Sequence, residues 1–410
     1  MAATMTFQYS VRDKAGKLVS GTLEADSQTA VAQRLKAMGY APVSISASNA
    51  GLKKEISIPG LSRKKKVKLK DLAVFSRQFA TMINSGLSLL RALNILAEQT
   101  ESDELKRVIG EVRNEVESGT SLSAAMGKHP RVFPPLMVNM TKAGEVGGFL
   151  DSVLLQIAEN YEAEVKLRGK IKSAMTYPIV VACISGIALI VMLTFVVPTF
   201  AKMFKSLGSK LPAPTQLLVN LSHAMKFLLP AAIIFTIVFL IVWKRIKHEE
   251  RVRKVVDPLK LKVPVFGMLF RKVALARFAR NLGTMIRSGV PILQALDIVA
   301  DTTGNYTLTA AVHDVQDSVR QGESLSRPLE NHPVFPPMVV QMMAVGEDTG
   351  ALDTMLHKIS DFYDQEVEAT TEALTALIEP IMIAVLGGLV GSMIVCLYLP
   401  IFDIYNHIGG

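Results

Sequence analysis

The sequence FSRQFATMINSGLSLLRALNILAEQT at residues 75–100 returns as FARNLGTMIRSGVPILQALDIVADTT at residues 278–303. The two copies stay aligned beyond this point, with one residue lost from the second copy, through four further matches: Ser121-Leu122-Ser123 with Ser324-Leu325-Ser326, Phe133-Pro134-Pro135 with Phe335-Pro336-Pro337, Gly144-Glu145 with Gly346-Glu347, and Tyr161 with Tyr363. Each copy then leads into an uncharged apolar segment. Duplicated units that each join a membrane segment are typical of a scaffold with a pseudo-twofold arrangement, and not of a soluble enzyme.

Three apolar segments are long enough to cross a bilayer as helices, which takes about 20 residues. The first lies between Lys172 and Lys202, which have no charged residue between them. The second, residues 227–243, is shorter and is followed at once by basic residues. The third covers residues 380–402. We therefore predict three transmembrane helices.

Basic residues near the segment ends predict the orientation, because cytoplasmic flanks carry an excess of lysine and arginine. Four cations precede the first segment: Lys166, Arg168, Lys170 and Lys172. Six follow the second segment: Lys244, Arg245, Lys247, Arg251, Arg253 and Lys254. The loop that connects these two segments carries only lysines. The large segments and the amino terminus are thus expected in the cytoplasm. The short loop and the carboxyl-terminal tail are expected outside.

The composition agrees with a membrane protein. The net charge is +9, but the cations cluster beside the apolar segments and at residues 63–66, so the lipid bilayer is the expected partner and nucleic acid is not. The two cysteines, Cys183 and Cys396, lie inside apolar segments and indicate neither a disulfide framework nor a metal motif.

The hydrophobic pattern predicts a mainly α membrane protein with two duplicated cytoplasmic helical bundles of about six helices each, three transmembrane helices and a small α+β amino-terminal unit. The predicted segments, in order, are a hairpin-plus-helix unit (1–48), a basic linker (49–70), helical repeat 1 (71–172), span 1 (173–201), an outward-facing loop (202–226), span 2 (227–243), a cytoplasmic segment with helical repeat 2 (244–378), span 3 (379–402) and an outward-facing tail (403–410).

Several of these motifs also carry a family resemblance. They are Phe75-Ser76-Arg77-Gln78, Ser85-Gly86, Leu122-Ser123, Phe133-Pro134, Gly144-Glu145 and Tyr177-Pro178, with their counterparts in the second copy. The chain resembles, over nearly its whole length, the inner-membrane platform proteins of type IV pilus and type II secretion machines, the PilC/GspF family. The basic linker that runs into Phe-Ser-Arg-Gln is more similar to the pilus branch.

The resemblance implies a multi-pass protein of the bacterial inner membrane that couples a cytoplasmic hexameric assembly or retraction ATPase to pilin insertion or removal. Its implied partners are that ATPase, pilin subunits, other inner-membrane assembly proteins and further copies of itself. A type II secretion platform is the alternative. A small-solute transporter is a more distant one, because repeated halves also occur in transporters.

No enzymatic activity and no cofactor are expected. The chain has no G-x-x-x-x-G-K-[ST] motif, since Leu122 stands where the first glycine before Gly127-Lys128 would be needed. It also has no H-E-x-x-H or G-x-S-x-G motif. A role that depends on binding and on mechanical connection is therefore favoured over catalysis.

Candidate site residues have a structural and a functional interpretation each. Glu145 and Glu347 either cap backbone donors at a helix end or, with Asp348, belong to a metal site or a partner contact. Arg77 and Arg280, with Gln78 and Asn281 beside them, either tie helices together or contact the ATPase. Glu379 either sits at interface depth or contacts pilin or a neighbouring protomer. Gly387, Gly388 and Gly391 form a small-residue face suited to helix packing.

The orientation can be tested by labelling single cysteines in intact cells. Because the cation asymmetry places the loop outside and the linker inside, a membrane-impermeant thiol reagent should modify Ser209→Cys and leave Ser62→Cys unmodified. Modification of both positions, or of Ser62→Cys alone, would reverse the predicted orientation.

Overall fold

The structure is a computed structural model that describes residues 5–12, 18–25, 27–38, 40–47, 67–206, 212–247, 249–264 and 266–408. The chain divides into two compact units, residues 1–64 and 65–410. The predicted turn at 13–16, most of the predicted linker and part of the predicted outward loop lie outside the described residues.

The smaller unit is a three-stranded antiparallel sheet with one helix on it. Its elements are β1 (Met5–Arg12), β2 (Leu18–Ala25), α1 (Gln28–Ala37) and β3 (Ala41–Ala47), with β1 in the centre. The Ser27 hydroxyl accepts a hydrogen bond from the Ala30 N–H and so caps α1. Val31 and Leu35, one turn apart on α1, are fully buried where the helix packs on the sheet. This is the small α+β unit that the sequence predicts.

The first repeat forms six helices within the described range 67–206. They are α2 (Leu69–Asn84), α3 (Leu89–Gln99), α4 (Asp103–Glu117), α5 (Leu122–Gly127), α6 (Pro135–Gly147) and α7 (Leu150–Val191). Helix α2 begins at Leu69, so the last two residues of the predicted linker, Leu69 and Lys70, are already helical. Gly86, at φ +81°, turns the chain between α2 and α3, where a left-handed residue ends a helix without steric cost.

The second repeat has the same order of helices within the described range 266–408. They are α11 (Phe266–Arg287), α12 (Ile292–Thr302), α13 (Tyr306–Arg320), α14 (Ser326–Leu329), α15 (Pro337–Asp348) and α16 (Leu352–Ile408). Between the repeats lie α8 (Val197–Ser206), α9 (Ala213–Ile246) and α10 (Glu250–Lys262). The prediction of two duplicated six-helix bundles is confirmed.

Phenylalanines explain why the repeat motifs recur together. In the first bundle, Phe75 of α2 packs on Phe133 of the Phe-Pro-Pro motif, with 5.9 Å between the ring centroids. In the second, Phe278 packs on Phe335 at 5.2 Å. All four side chains are nearly fully buried in one continuous apolar core that both bundles share. The distant motifs therefore meet in the centre of each bundle.

Three helices of the described chain are long and apolar enough to cross a membrane: Leu150–Phe204, Ala213–Ile246 and Leu352–Pro400. The first and third are continuations of the sixth helix of each bundle. Pro178 and Pro380 lie inside α7 and α16 and do not interrupt them. The chain therefore passes from each bundle into an apolar segment without a break in the helix.

The first long helix widens into a π turn at Met192–Val196 before α8. Pro198 lies just beyond this turn. A proline ring has no N–H and clashes with the carbonyl four residues earlier, here that of Thr194. A local π turn accommodates such an interruption without ending the helix.

A fragment of residues 68–170 should fold as a soluble, mainly helical bundle, because it contains the first set of core helices and stops before the apolar segment. Its circular-dichroism spectrum should show helix and a cooperative thermal transition. A shorter fragment, residues 68–148, should lose that transition because it lacks α7, which buries Val153, Leu154 and Ile157 in the core. A strand-dominated spectrum of the longer fragment would contradict the bundle.

Candidate functional site

Glu145 binds the amino-terminal end of the short helix α5. Its carboxylate accepts hydrogen bonds from the backbone N–H of Leu122 and from both the backbone N–H (3.0 Å) and the hydroxyl of Ser123. The Ser121 hydroxyl accepts from the Ala124 N–H in the same turn. The first N–H groups of a helix have no partner inside it, and a negative charge is favourable there. Glu145 therefore fastens α5 to α6.

Glu347 makes the same contacts in the second bundle. Its carboxylate accepts from the Leu325 N–H at 2.7 Å, the Ser326 N–H at 3.2 Å and the Ser326 hydroxyl at 3.0 Å. The Leu-Ser part of each Ser-Leu-Ser motif is thus the binding partner of the Gly-Glu motif some twenty residues later. The repetition of both motifs follows from this single contact.

A glycine precedes each of these glutamates because two helices meet there. A Cβ atom at Gly144 would lie 3.1 Å from the Leu150 Cα, and one at Gly346 would lie 3.0 Å from the Leu352 Cα. These separations are shorter than ordinary van der Waals contact. The glycine thus lets α6 and α15 approach the helix that follows.

The capping contacts favour the structural interpretation of Glu145 and Glu347 over the metal site. Both oxygens of each carboxylate already accept hydrogen bonds from the protein. Asp348 is exposed and turned to solvent. In the part of the chain that the structure describes, no group of three or more histidine, cysteine, aspartate or glutamate side chains is placed to hold a metal ion.

Arg77 and Arg280 each tie the first helix of a bundle to the sixth. Arg77 donates to both oxygens of Glu162, from Nε at 2.7 Å and from Nη2 at 2.5 Å. These hydrogen bonds, and then the charge, lower the pKa of the Glu162 carboxyl below its usual value. Arg280 bonds both oxygens of Asp364, which occupies the position equivalent to Glu162. These contacts match the interpretation of the arginines as ties between helices.

The residues beside these arginines have different surroundings. Gln78 is exposed, whereas Asn281 is buried and accepts a hydrogen bond from the Asn160 amide of α7 at 3.1 Å. Asn281 also donates to the Thr302 hydroxyl at 2.9 Å. Asn281 is therefore not available to an outside partner, and it belongs to the contact between the two bundles.

This contact between the bundles is polar, and the sequence reasoning missed it. Helix α7 of the first bundle lies along α11 of the second, with hydrogen bonds or ion pairs at three levels: Gln156–Ser288 (2.7 Å, with Ser288 directly after α11), Asn160–Asn281 and Glu164–Arg277 (2.7 Å). A fourth hydrogen bond, Asn139–Gln294 (2.7 Å), joins α6 to α12. A single sequence holds no signal that pairs residues more than 100 positions apart. Only co-variation among relatives could have found it.

A cleft of about 310 Å³ lies beside this contact, between α7, α11 and α16. The Arg280 side chain, only 7% exposed, lines it, and its second terminal nitrogen, Nη1, is buried without a hydrogen-bond partner among the described residues. Asp353, Asp361 and Asp364 line the same cleft. The cleft thus has a mixed polar lining, with acids facing one buried guanidinium.

The candidates in the apolar segments lie at two levels. Glu379 and its counterpart Tyr177 line one small pocket between α7 and α16, where both helices enter their apolar parts. Gly387, Gly388 and Gly391 have no described atom within 4 Å of an added Cβ. These glycines therefore do not bring two helices of the same chain together, and the expected close packing is not made within the described chain.

The sequence pattern described as "Type II secretion system (T2SS), protein F" matches this chain twice, at residues 75–198 and 278–400. A second pattern, "Type II secretion system protein F, N-terminal domain", matches residues 1–46. The chain belongs to the type II secretion system protein F family. Each of the two longer matches covers most of one bundle and the apolar segment that continues it.

Relatives within this family are similar to the chain over almost their whole length. A "Type IV pilus assembly protein PilC" of Myxococcus xanthus is 46% identical over 99% of this chain and 96% of its own. A protein of the same name from Thermus thermophilus is 43% identical over 97% and 98%. A "Type II secretion system protein F" of Xanthomonas campestris pv. campestris is 35% identical over 98% and 99%.

Removing either capping glutamate should destabilise its bundle. Glu145→Ala in the fragment of residues 68–170 leaves two backbone N–H groups unpaired, which should lower the free energy of unfolding by about 1–3 kcal/mol. Glu145→Gln keeps one acceptor oxygen and should lose less. Urea unfolding measures both.

The exposed Asp348 provides the matched control in the full-length protein. There Glu347→Ala should lower the thermal midpoint, while Asp348→Ala should change stability by no more than about 0.5 kcal/mol. If a metal chelator destabilised the unmodified protein as much as Glu347→Ala does, the carboxylate would be a metal ligand instead of a cap.

Proposed function

We propose that this family member is the inner-membrane platform protein of a type IV pilus assembly machine. In this role it couples a cytoplasmic assembly or retraction ATPase to the insertion or removal of pilin at the membrane. The observation that carries the proposal is the continuity of α7 and α16, each of which is a bundle helix at one end and an apolar, membrane-length helix at the other. A stiff connection of this kind transmits motion between an ATPase and the bilayer.

The junction between bundles and membrane segments is held by a second apolar cluster. Leu167 of α7, Leu269 of α11, and Val367 and Leu374 of α16 are buried together there, apart from the main core. The ion pair between Lys170 and Glu368 joins α7 to α16 at the same level. The two long helices are therefore clamped together just before their apolar parts begin, which favours their movement as one piece.

The proposed setting is the bacterial cytoplasmic membrane, with the amino terminus, both bundles and the junction in the cytoplasm. The spans would occupy residues 173–201, 227–243 and 379–402. The partners would be the hexameric ATPase, pilin subunits, other inner-membrane assembly proteins and further copies of the chain. The exposed Gln78 and the pocket that Glu379 lines are candidate contacts for these partners.

A type II secretion platform is the second candidate. The family name and the 35% identical relative from Xanthomonas campestris support it. The two relatives named for pilus assembly, at 46% and 43% identity, favour the pilus role. Both roles use the same mechanical connection between bundle and bilayer.

The mechanical role can be tested by making the junction of α7 flexible. Insertion of Gly-Gly after Lys170 should abolish surface pili while leaving the protein in the membrane and bound to its ATPase, because each glycine costs a helix about 1 kcal/mol and adds a hinge. Electron microscopy of the cell surface, membrane immunoblots and co-purification of the ATPase measure the three properties.

Two controls separate the effect of a flexible junction from the effect of shifting the helix by two residues. Ala-Ala inserted after Lys170 shifts the register of the helix equally but keeps it stiff, and Gly-Gly inserted after Gly208 adds flexibility in the predicted outward loop. Pili should persist better with either control than with the junction insertion. Full piliation with a flexible junction would mean that the protein is a passive anchor.

A further inference from the structure

The two bundles are homologous, yet they contact each other through different faces. The first bundle uses α6 and α7, and the second uses α11, α12 and α16. Helix α2 is the counterpart of α11, and α16 is the counterpart of α7. In a twofold contact, α2 would therefore contact α16 in the same way that α11 contacts α7. Among the described residues no hydrogen bond or ion pair joins α2 to α16. The pseudo-twofold contact expected from the repeat is therefore not the one in the structure.

Each bundle consequently keeps one face of the same interface unused. We call the face on the fifth and sixth helices the front face, and the face on the first, second and sixth helices the back face. Within the chain, the front face of bundle 1 binds the back face of bundle 2. Among the described residues, the back face of bundle 1, on α2, α3 and α7, and the front face of bundle 2, on α15 and α16, have no such partner.

The side chains on these two unused faces complement each other at equivalent positions. Three of the pairs within the chain have a polar counterpart made of exposed residues: Asn139–Gln294 corresponds to Gln341–Arg91, Gln156–Ser288 to Lys358–Ser85, and Lys170–Glu368 to Glu372–Lys166. The other two pairs between the bundles have an apolar residue in the counterpart, Phe362 with Gln78 and Val74 with Glu366, and Glu366 already pairs with Lys272. The first counterpart joins an arginine to an amide oxygen, the second a lysine to a hydroxyl. The third is an ion pair with its two charges exchanged, so a neighbouring copy would restore it.

One of the counterpart side chains has a partner within its own helix: the Ser85 hydroxyl donates to the Thr81 carbonyl at 2.7 Å, as the Ser288 hydroxyl donates to the Thr284 carbonyl at 2.8 Å. Within the described ranges, no hydrogen bond or ion pair involves Arg91, Gln341, Lys358, Lys166 or Glu372. Closer to the membrane, the Thr375 hydroxyl of α16 donates to the Ala174 carbonyl of α7 at 3.5 Å. The counterpart donor is the exposed Ser173, and the counterpart acceptor is the carbonyl of Ala376. Hydrogen-bonding groups are thus retained at four levels of the two unused faces.

Two apolar side chains add to the complementarity. Val74 on the unused back face is 46% exposed, and Phe362 on the unused front face is 40% exposed. Val74 stands at the position of Arg277 and Phe362 at the position of Asn160. In the contact within the chain, Arg277 and Asn160 lie on facing helices, about one helical turn apart. Between copies, an apolar contact would replace a polar one and would favour burial from water.

We propose that the back face of bundle 1 binds the front face of bundle 2 of a second copy, so that copies join head to tail. Helices α7 and α16 run parallel, since Lys170 pairs with Glu368 and Ala174 with the later Thr375. The rotation that relates the bundles therefore has its axis close to the membrane normal. Copies in one bilayer cannot advance along that axis, so a repeated head-to-tail contact closes into a ring of alternating bundles.

This proposal requires that the chain spans a membrane, and it does not require that it assembles pili. It can therefore fail while the proposed function holds, or hold while that function fails. The other arrangements are a twofold dimer, in which identical faces meet, and a protein without contacts between copies. Cross-linking distinguishes all three.

The experiment uses the full-length protein in its membrane with Cys183→Ser and Cys396→Ser as the background. Two differently tagged copies are co-expressed, one with Ser85→Cys and the other with Lys358→Cys, and are treated with a short thiol cross-linker. The mixed pair should give a product that carries both tags. A single copy with Gln156→Cys and Ser288→Cys should cross-link within itself, without an increase in mass, and serves as the matched control.

A charge exchange provides an independent measurement on the same mixed pair. Lys166→Glu alone or Glu372→Lys alone should lower the yield of the doubly tagged product several-fold, since each brings like charges together. The two substitutions combined in every copy should restore the yield. Glu117→Lys, an exposed reversal on α4 away from both faces, should leave it unchanged.

Three results would overturn the proposal. The first is a greater yield from Ser85→Cys with itself, or Lys358→Cys with itself, than from the mixed pair, which would indicate a twofold dimer. The second is no mixed product while the control within one chain cross-links. The third is a combined charge exchange that yields no more mixed product than the single reversals.

Discussion

Helix α7 is packed on two sides, and the arrangement of both bundles depends on it. One side places Val153, Leu154 and Ile157 in the apolar core of its own bundle. The other side presents Gln156 and Asn160 to α11, where each finds a hydrogen-bond partner. Apolar contacts tolerate sliding, but buried polar groups must meet particular partners. The polar side of α7 therefore sets the register between the bundles.

The duplication preserved the contacts that build a bundle and changed those that join bundles. Each bundle keeps its buried phenylalanine pair, its capping glutamate after a glycine, and its arginine tied to an acid on the sixth helix. By contrast, Asn160 of α7 corresponds to Phe362, and Arg277 of α11 to Val74. The two bundles have the same internal structure because the contacts inside each bundle are common to both. They bind different partners because the residues that join the bundles differ.

The sixth helices carry this arrangement to the membrane. Below the main core, Leu167, Leu269, Val367 and Leu374 are buried together, and the Lys170–Glu368 pair lies beside them. Prolines at 178 and 380 follow soon after, but both helices continue through them. Interruption of a helix by proline is costly in water, yet neighbouring helices and local adjustment accommodate it in membrane segments. The connection between bundle and apolar segment is thus continuous in both repeats.

The sequence by itself determined the family, the duplicated bundles and the three apolar helices, because each depends on local pattern: a repeated motif, a helical period, or an uncharged run of sufficient length. For Glu145 and Glu347 it left two interpretations open, a cap on backbone donors at a helix end and a metal site or partner contact. Only the tertiary structure decided which donors they bind, which acids receive Arg77 and Arg280, and which faces of the bundles meet. Those pairings join residues far apart in the chain, and no local pattern specifies which of several equivalent polar faces will be the one that is buried.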